Sequence, residues 1–359
     1  MDDRLVIEHW RTPEQARAVG WESLLGGEDF FLTPEWMRVL QDSSGAEHGY
    51  VTVRSGGRLL AGLALVRATE KSPWALGRTD LLLAHCDREG MDGASALVGE
   101  LGEVGRLVPS MMLGGRHLGR TRLLLAEGAP AEAAEAALAG AEEAARAAGC
   151  VSLCLPYADD SDGTVRSVLD GSGYAHCVSG EFASLTLHGS GFADYAMSLP
   201  ARRSRRVRAE RRRVEASDVR IDLGPLRLED VPRLAALETE LFAKYGMSGW
   251  DPRRSEAVLE AAHRWLGERA LVARAVLEGE IVGFGLVLAH GEDWFAHRAG
   301  FDYAAQGKLP LYYELLYYTL ADHAPEHGVR RVHYGIGSVD AKVSRGCRLS
   351  RQYLYVKEL

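Results

Sequence analysis

Residues 198–213 read SLPARRSRRVRAERRR, and this stretch guides the interpretation of the whole chain. It holds eight arginines and one acid, Glu210, whereas the chain as a whole has a formal net charge of −8. Pro200 follows a serine in a typical helix start, and no glycine or proline interrupts the residues behind it. Val207 and Val214 are seven residues apart, which leaves only a narrow apolar stripe for a core. The stretch therefore predicts a helix over residues 200–215 whose arginines face water or an anion.

Two interpretations of this cationic helix remain open from its composition. A cluster of arginines on one face is the electrostatic footprint of a phosphate-bearing partner. Arginine also holds phosphate oxygens bidentately, whereas lysine acts as a point charge. The alternative is a solvated helix whose arginines pair with acids elsewhere in the chain. Charge alone does not name the partner.

Length and composition indicate an ordinary soluble globular protein. The 359 residues favour two domains, and 47% hydrophobic with 26% charged residues is a typical balance. No apolar run approaches the roughly 18 residues of a membrane span, and the acidic N-terminal stretch does not resemble a signal peptide. Five scattered cysteines show no metal-ligand spacing. We expect no metal, no membrane span and a reducing, cytoplasmic location.

The first half of the chain alternates capped helices, hairpin strands and a long helix. Thr12 and Thr33 each precede a proline, which is the usual order of N-cap and first helical residue. Two strands are predicted around the turn at residues 55–57. An alanine-rich helix over residues 131–148 ends at Gly149 and leads into a buried strand.

The second half repeats this order, so we predict domains at 1–178 and 179–359. After the arginine helix, the apolar spacing predicts helices at 228–244, 253–267 and 309–323 and strands at 219–223, 270–277, 281–289, 294–299 and 331–334. Identity between the halves is slight, and an internal duplication is a topological hypothesis.

Four stretches carry a resemblance to a known family: EDFFLTPEWM (28–37), PSMMLGGRHLGRTRLLL (109–125), YAMSLPARRSRRVRAERRR (195–213), and WFAHRAGFDY (294–303) with the long segment 312–349. The last stretch is the most specific. It reads as an amphipathic helix, G-x-R-R, a strand, a glycine, and then an acid-x-Lys-x-x-x-Gly pattern. Together they resemble the Fem-type aminoacyltransferases of the GNAT superfamily, which take an amino acid from charged tRNA and form an amide.

The resemblance implies an α/β (α+β) chain with two tandem GNAT-like domains, each a mostly antiparallel twisted sheet flanked by helices. One departure concerns the donor. Ordinary GNAT acetyltransferases hold the acetyl-CoA pyrophosphate with a Q/R-x-x-G-x-G/A loop at a helix N-terminus, where free amides bind phosphate. The corresponding segment here, residues 303–310, lacks that motif. This favours a charged tRNA donor over acetyl-CoA.

The resemblance also suggests roles for individual residues. Lys342 matches the family position near the CCA end of the donor, where it would steady negative charge, and Tyr303 would donate a proton or stack on a base. Arg298 and Asp302 would position the acceptor amine, unless they form structural ion pairs. Lys342 has an alternative role as a surface lysine paired with Asp340. Direct transfer is expected, without a covalent intermediate on Cys347.

The remaining predicted site residues would bind the two substrates. The predicted contacts to donor phosphate are Arg202, Arg205, Arg206, Arg212, Arg345 and Arg348. The predicted substrate contacts are Tyr245, Tyr313 and Tyr334. Strand alternation allows only one of His333 and Tyr334 to face the site.

The sequence thus favours an aminoacyl-tRNA-dependent enzyme that forms an amide on the amine of a small molecule or peptide, as in natural-product pathways. It would need no cofactor, because its donor is charged tRNA. One alternative keeps the fold and uses an acyl-CoA or acyl-carrier thioester. Another is a non-catalytic RNA-binding protein.

Overall fold

The structure, a computed structural model, describes residues 4–72, 75–115, 119–247 and 249–359. The chain divides into two compact units. The first runs to Phe182 and also takes in Ser350–Leu359, and the second comprises Ala183–Leu349. The sequence instead assigned all of 179–359 to the second domain. The difference at the C-terminus arises because the final strand is hydrogen-bonded to a strand of the first unit.

The strands in the described residues are β1 (Val6–Trp10), β2 (His48–Ser55), β3 (Arg58–Ala68), β4 (Ser110–Leu113), β5 (Leu124–Leu125), β6 (Ser152–Asp159), β7 (Ala175–Thr186), β8 (Arg220–Pro225), β9 (Ala270–Leu277), β10 (Glu280–His290), β11 (Asp293–Phe301), β12 (Arg331–Gly335) and β13 (Arg348–Glu358).

The α-helices are α1 (Pro13–Ala18), α2 (Pro34–Ser44), α3 (Thr79–Arg88), α4 (Ala94–Leu101), α5 (Ala131–Ala147), α6 (Gly163–Gly171), α7 (Phe192–Ser198), α8 (Ala201–Glu215), α9 (Val231–Lys244), α10 (Pro252–Leu266), α11 (Tyr303–Gln306), α12 (Leu311–Tyr313), α13 (Thr319–His323) and α14 (Val339–Ser344). None of the described helices is both long and apolar enough to cross a bilayer.

In the first unit the strand order is β1-β2-β3-β4-β6-β13, with β5 on the side of β3. All of these pairs are antiparallel except β4 with β6, which run parallel. The apolar face of α5 packs on this sheet through Ala134, Ala137, Leu138 and Ala141. The parallel pair needs a crossover connection, and α5 supplies it.

The second unit has the same plan. Its strand order is β7-β12-β11-β10-β9-β8, where β7 contributes its residues from Ala183 onward. Only β11 and β12 are parallel, and they are joined through α11–α13. A separate core forms around Trp294, Phe301, Leu315 and Tyr318. Both units are therefore mostly antiparallel sheets flanked by helices, as the sequence predicted.

Local sequence signals explain several helix starts. Thr33 accepts a hydrogen bond from the Trp36 amide at the start of α2, with Pro34 in the first turn. Thr12 and Gln15 form a reciprocal capping box at α1. Both caps were predicted. The helix predicted over 309–323 is interrupted, because Glu314–Tyr318 form a π-helical segment between α12 and α13.

Gly300 sets how closely α9 approaches β11. A Cβ atom at this position would lie 2.4 Å from the Glu238 amide nitrogen and 2.4 Å from the Leu237 carbonyl carbon. Only glycine allows this backbone contact, so the helix lies directly on the strand. As a result, the side chain of Glu238 reaches Arg298 on β11.

Candidate functional site

The candidate site of the second unit begins where its two parallel strands separate. β11 and β12 pair from Asp293 with Arg331 to Phe295 with His333. Beyond that point β11 continues to Phe301 without β12, which pairs on its other side with β7. The chain end of β12 and the helices after β11 therefore border a common region.

Tyrosines fill this region. Tyr334 on β12 stacks on Tyr317, with ring centroids 4.3 Å apart and planes 11° apart. Tyr317 also contacts Tyr312 and Tyr313, at centroid distances of 6.2 and 6.0 Å. We call these four residues the tyrosine cluster. The π-helical turn lies inside it, and such turns occur frequently at functional sites.

The strand alternation predicted for His333 and Tyr334 is present. His333 stacks on Phe295 and bonds Asp293 through Nε2 at 2.8 Å. Tyr334 joins the tyrosine cluster instead and donates its hydroxyl to the Leu316 carbonyl at 2.7 Å. Of the two, Tyr334 is the residue that faces the candidate site.

Lys342 lies beside the end of β12. Its Nζ donates to the carbonyls of Tyr334, Gly335 and Ile336 at 2.7, 2.9 and 2.8 Å. The side chain is only 4% exposed, and burial lowers its pKa to about 8. Those three acceptors match the three N–H bonds of an ammonium group. Lys342 therefore fixes the turn after β12, and its partners are these carbonyls and not Asp340.

Arg345 is the centre of a buried network next to the cluster. Its guanidinium donates to the Tyr318 hydroxyl at 3.0 Å, to Glu210 at 2.7 Å and to the Ser344 hydroxyl at 2.6 Å. Tyr318 also donates to Glu210. Burial by itself raises the pKa of Glu210, but the bonds from Tyr318 and Arg206 and the charge of Arg345 hold it below its usual value.

A cationic cavity of about 290 Å³ adjoins this network. Its lining consists of Arg202, Arg203, Arg206, Val207, Ser344 and Arg345, which we call the arginine pocket. Gly346, at φ +90°, lies close to the connection between α7 and α8, because a Cβ there would lie 2.7 Å from the Leu199 side chain. Arg203 was absent from the predicted site residues. Its position four residues before the buried Val207 was an available signal.

Other predicted phosphate-binding arginines lie outside the pocket lining. Arg205 and Arg212 are exposed on α8, and Arg348 is exposed at the start of β13. Like that of Arg202, their side chains have no hydrogen-bond or ion-pair partner among the described residues, so their charges face solvent. Arg206 is also exposed but shares the Glu210 carboxylate at 2.8 Å.

Arg298 and Asp302 are held by different partners. Arg298 donates to Glu238 at 2.7 Å, and both side chains are buried. Asp302 pairs with Arg233 at 3.2 Å. Its other carboxylate oxygen accepts from the amides of Ala304 and Ala305 at 3.1 and 2.9 Å. Asp302 is therefore the N-cap of α11. For Arg298, the buried bond to Glu238 makes a structural ion pair the simpler role.

Tyr303, the first residue of α11, is half-buried. The Lys244 amine lies 3.9 Å from the centre of its ring. Burial raises the pKa of Tyr303, and the neighbouring Tyr245 and Glu240 add to that effect. The phenol therefore stays protonated at neutral pH and is able to donate. Tyr245 is 66% exposed beside it.

The structure offers no activated thiol at this place. Cys347 is buried, and burial raises its pKa to about 12, so the sulfur is a neutral thiol at pH 7. No group of three or more metal-ligating side chains occurs within the described residues. The described site contains phenol hydroxyls and guanidinium groups.

Glu314 is a buried acid that the sequence analysis did not single out. It lies in the π-helical turn and accepts a hydrogen bond from Thr319 at 3.2 Å. Burial raises its pKa to about 7, partly opposed by the charge of Arg211. It lines a cavity of about 210 Å³ with Arg211, Asp322 and His323.

Glu314→Gln is expected to change how stability depends on pH. A carboxyl whose pKa rises from about 4.5 to about 7 on folding contributes stability below pH 4.5, and this is lost as the pH rises through 7. The variant should therefore gain stability relative to the wild type between pH 5 and pH 8, by up to about 3 kcal/mol. Urea unfolding at several pH values measures this difference. The same pH dependence of the unfolding free energy in both proteins would contradict the prediction.

Comparisons with known proteins agree with this architecture. Residues 201–343 match the sequence family described as an acetyltransferase (GNAT) domain. Residues 201–343 therefore carry a GNAT acetyltransferase domain, and the chain is an acyltransferase. No curated protein sequence resembles it closely enough to count as a relative.

Solved structures share the fold of this chain over nearly its whole length. The crystal structure of FemX covers 98% of the chain and 97% of its own, at a TM-score of 0.67 and 12% identity. A tandem GNAT protein from the clavulanic acid biosynthesis pathway aligns over 99% of this chain and 98% of its own, with a TM-score of 0.54 and 14% identity. A conserved protein of unknown function from Bacteroides thetaiotaomicron aligns over 98% of this chain and 100% of its own, with a TM-score of 0.56 and 11% identity. The predicted resemblance to Fem-type enzymes is confirmed at the level of the fold.

Proposed function

We propose that this acyltransferase takes an amino acid from charged tRNA and joins it, through an amide bond, to the amine of a small molecule or peptide. The observation that carries the proposal is the capping of α11 by Asp302. Ordinary GNAT enzymes hold the coenzyme pyrophosphate with free amides of a loop and helix start, and the corresponding segment here is 303–310. Here the Asp302 carboxylate occupies the amides of Ala304 and Ala305 and adds a negative charge. A pyrophosphate would have to displace an anion that is already bonded there.

The cationic surface of α8 supports a nucleic-acid donor. Arg202, Arg205 and Arg212 are exposed and have no protein partner among the described residues. Unpaired guanidinium groups that replace counterions on a phosphate backbone give affinity that is independent of sequence and falls with salt. The alternative of a helix whose arginines are neutralised by acids applies to Arg206 and Arg211, which bond Glu210 and Glu215. The neutralised arginines thus fit the alternative, whereas the unpaired arginines support the proposal.

The proposed reaction exchanges one acyl bond. The acceptor nitrogen attacks the carbonyl carbon of the aminoacyl ester, a C–N bond forms, and the C–O bond to the ribose breaks. The nitrogen loses a proton and the ribose oxygen gains one, so no oxidant or cofactor is needed. Holding the two reactants in contact supplies much of the acceleration in such a reaction.

Tyrosine hydroxyls are the candidate proton donors to the leaving oxygen. Burial raises the pKa of Tyr303, and it raises the pKa of Tyr312 to about 12, so both phenols remain protonated near neutral pH. Tyr245 and Tyr313, beside them, would contact the substrates. We assign Tyr303 as the first candidate because it is half-buried and lies next to the exposed Tyr245.

Lys342→Ala is expected to lower kcat by roughly 10- to 100-fold, with little change in donor affinity. The change removes the ammonium group that fixes three carbonyls at the end of β12, next to Tyr334. Single-turnover rates and donor Kd measured on the same preparations separate the two effects. Asp340→Ala, on the same short helix, is the matched control and should retain wild-type turnover. Equal losses in rate and affinity would instead make Lys342 a donor anchor.

Donor class is tested by two binding measurements on the full chain. We expect total charged tRNA to shift the protein in a gel, with an affinity that falls steeply as salt rises. Coenzyme A should leave the melting temperature unchanged. Charged tRNA binding would then justify screening amino acids for RNase-sensitive transfer. Stabilisation by coenzyme A without tRNA binding would overturn the proposal.

A further inference from the structure

The arginine pocket is a cationic cavity made from elements other than the β11–α11 junction. It lies between α8 and the end of α14 and encloses about 290 Å³. Four of its six lining residues are arginines, and none is acidic. A cavity lined by guanidinium groups and one hydroxyl suits a group of negatively charged oxygens, because guanidinium binds phosphate oxygens in a bidentate geometry.

Arg345 distinguishes this pocket from a loose cluster of surface charges. Its side chain is 1% exposed and is fixed by Tyr318, Glu210 and Ser344. These bonds use three of the five N–H groups of a guanidinium, which leaves two for a ligand. An arginine that is already ordered loses less side-chain entropy on binding than an exposed one. The pocket therefore combines one buried, fixed arginine with exposed arginines from α8.

Arg345 also connects the pocket with the tyrosine cluster. Its guanidinium carbon lies 3.5 Å from the centre of the Tyr313 ring. Tyr313 in turn contacts Tyr317, which stacks on Tyr334 at the end of β12. An anion in the pocket would be separated from the cluster by a single side chain.

We infer that the arginine pocket binds a phosphate ester of the acyl donor, next to the group that is transferred. The preferred source of this phosphate is the backbone of the single-stranded 3′ end of tRNA, and this preference rests on the proposed function. A nucleotide coenzyme such as coenzyme A carries the same chemistry. A fixed phosphate subsite beside the reacting ester would orient the donor, whereas the exposed arginines of α8 supply long-range attraction.

The test compares two arginines of α8 that line the pocket with an exposed arginine of the same helix that does not. Arg202→Gln and Arg203→Gln alter the lining, and Arg205→Gln removes the same charge from the exposed surface. Each protein is titrated with the 5′-phosphorylated RNA ACCA and with coenzyme A at about 150 mM salt. Melting temperatures verify that the variants fold.

We expect ACCA to bind the wild type, each pocket variant to weaken it at least about tenfold, and Arg205→Gln to weaken it less than about twofold. An equal loss of ACCA affinity in all three variants would contradict a phosphate site in the pocket. It would indicate a diffuse cationic surface and would leave the proposed tRNA donor unaffected. Binding of coenzyme A that is lost only in the pocket variants, without ACCA binding, would support the pocket and overturn the tRNA donor. Absence of binding by both probes would overturn the pocket.

Discussion

Glu210→Ala should lower the free energy of unfolding by roughly 3–5 kcal/mol. Glu210 is the anionic partner of Arg345, which is 1% exposed in its side chain, and it also accepts from Tyr318. Removing the carboxylate leaves an uncompensated guanidinium in the interior, which costs more than the pair itself contributes. Urea unfolding of the purified variant measures the loss. Hydrogen exchange in peptides covering α8 and α14 should show where the protection is lost.

Two further variants separate charge burial from simple loss of a contact. Arg206→Ala removes the second cation on the same carboxylate, but this side chain is 63% exposed, so the cost should stay below about 1 kcal/mol. The double change Glu210→Leu with Arg345→Met removes both buried charges and should recover much of the stability. A loss under about 1 kcal/mol for Glu210→Ala would mean that water reaches Arg345 and screens it.

Local signals in the sequence predicted much of the second unit. The spacing of Val207 and Val214 placed the buried face of α8, and both side chains are buried in the structure. The alternation of side chains along β12 predicted that only one of His333 and Tyr334 faces the site. Such features depend on residues within one element, where the helical and strand periods decide which side chains share a face.

Long-range partners were not predictable in this way. Arg298 meets Glu238 across 60 residues because Gly300 lets α9 lie on β11. Arg345 meets Glu210 across 135 residues. The sequence singled out Arg298, Arg345 and Glu210 but not Glu238, and it contained no spacing that pairs these residues. The acids of the two pairs, Glu238 and Glu210, looked like ordinary helix-surface residues until the strands were in place.

The π-helical turn illustrates a different limit. The apolar and tyrosine spacing over 309–323 is compatible with one regular helix, and that was the prediction. Glu314 is the first residue of the π-helical segment and is 3% exposed. No propensity rule marks the position, because the turn is set by packing against the sheet and not by its own residues.

Arg298→Met is expected to destabilise the protein by roughly 3–5 kcal/mol while leaving kcat per folded molecule unchanged. The guanidinium bonds Glu238 at 2.7 Å, and Ser255 donates to the same carboxylate and accepts from the Trp250 indole at 2.9 Å. This network ties α9 and α10 to β11. Its bonds therefore assign Arg298 to structure, although the family resemblance suggested a role in positioning the acceptor.

The double variant Arg298→Met with Glu238→Gln decides between these roles. It removes both buried charges and keeps an oxygen that accepts from Ser255, so its stability should return towards that of the wild type. A stable double variant that transfers the acyl group at the wild-type rate would establish that Arg298 acts only by holding α9 on β11. A stable double variant with a raised KM for the acceptor amine would contradict this, because folding is then restored while the acceptor contact is still missing. Removing both charges together should restore folding, because neither is then left unpaired. A substrate contact made by Arg298 would still be missing in the double variant.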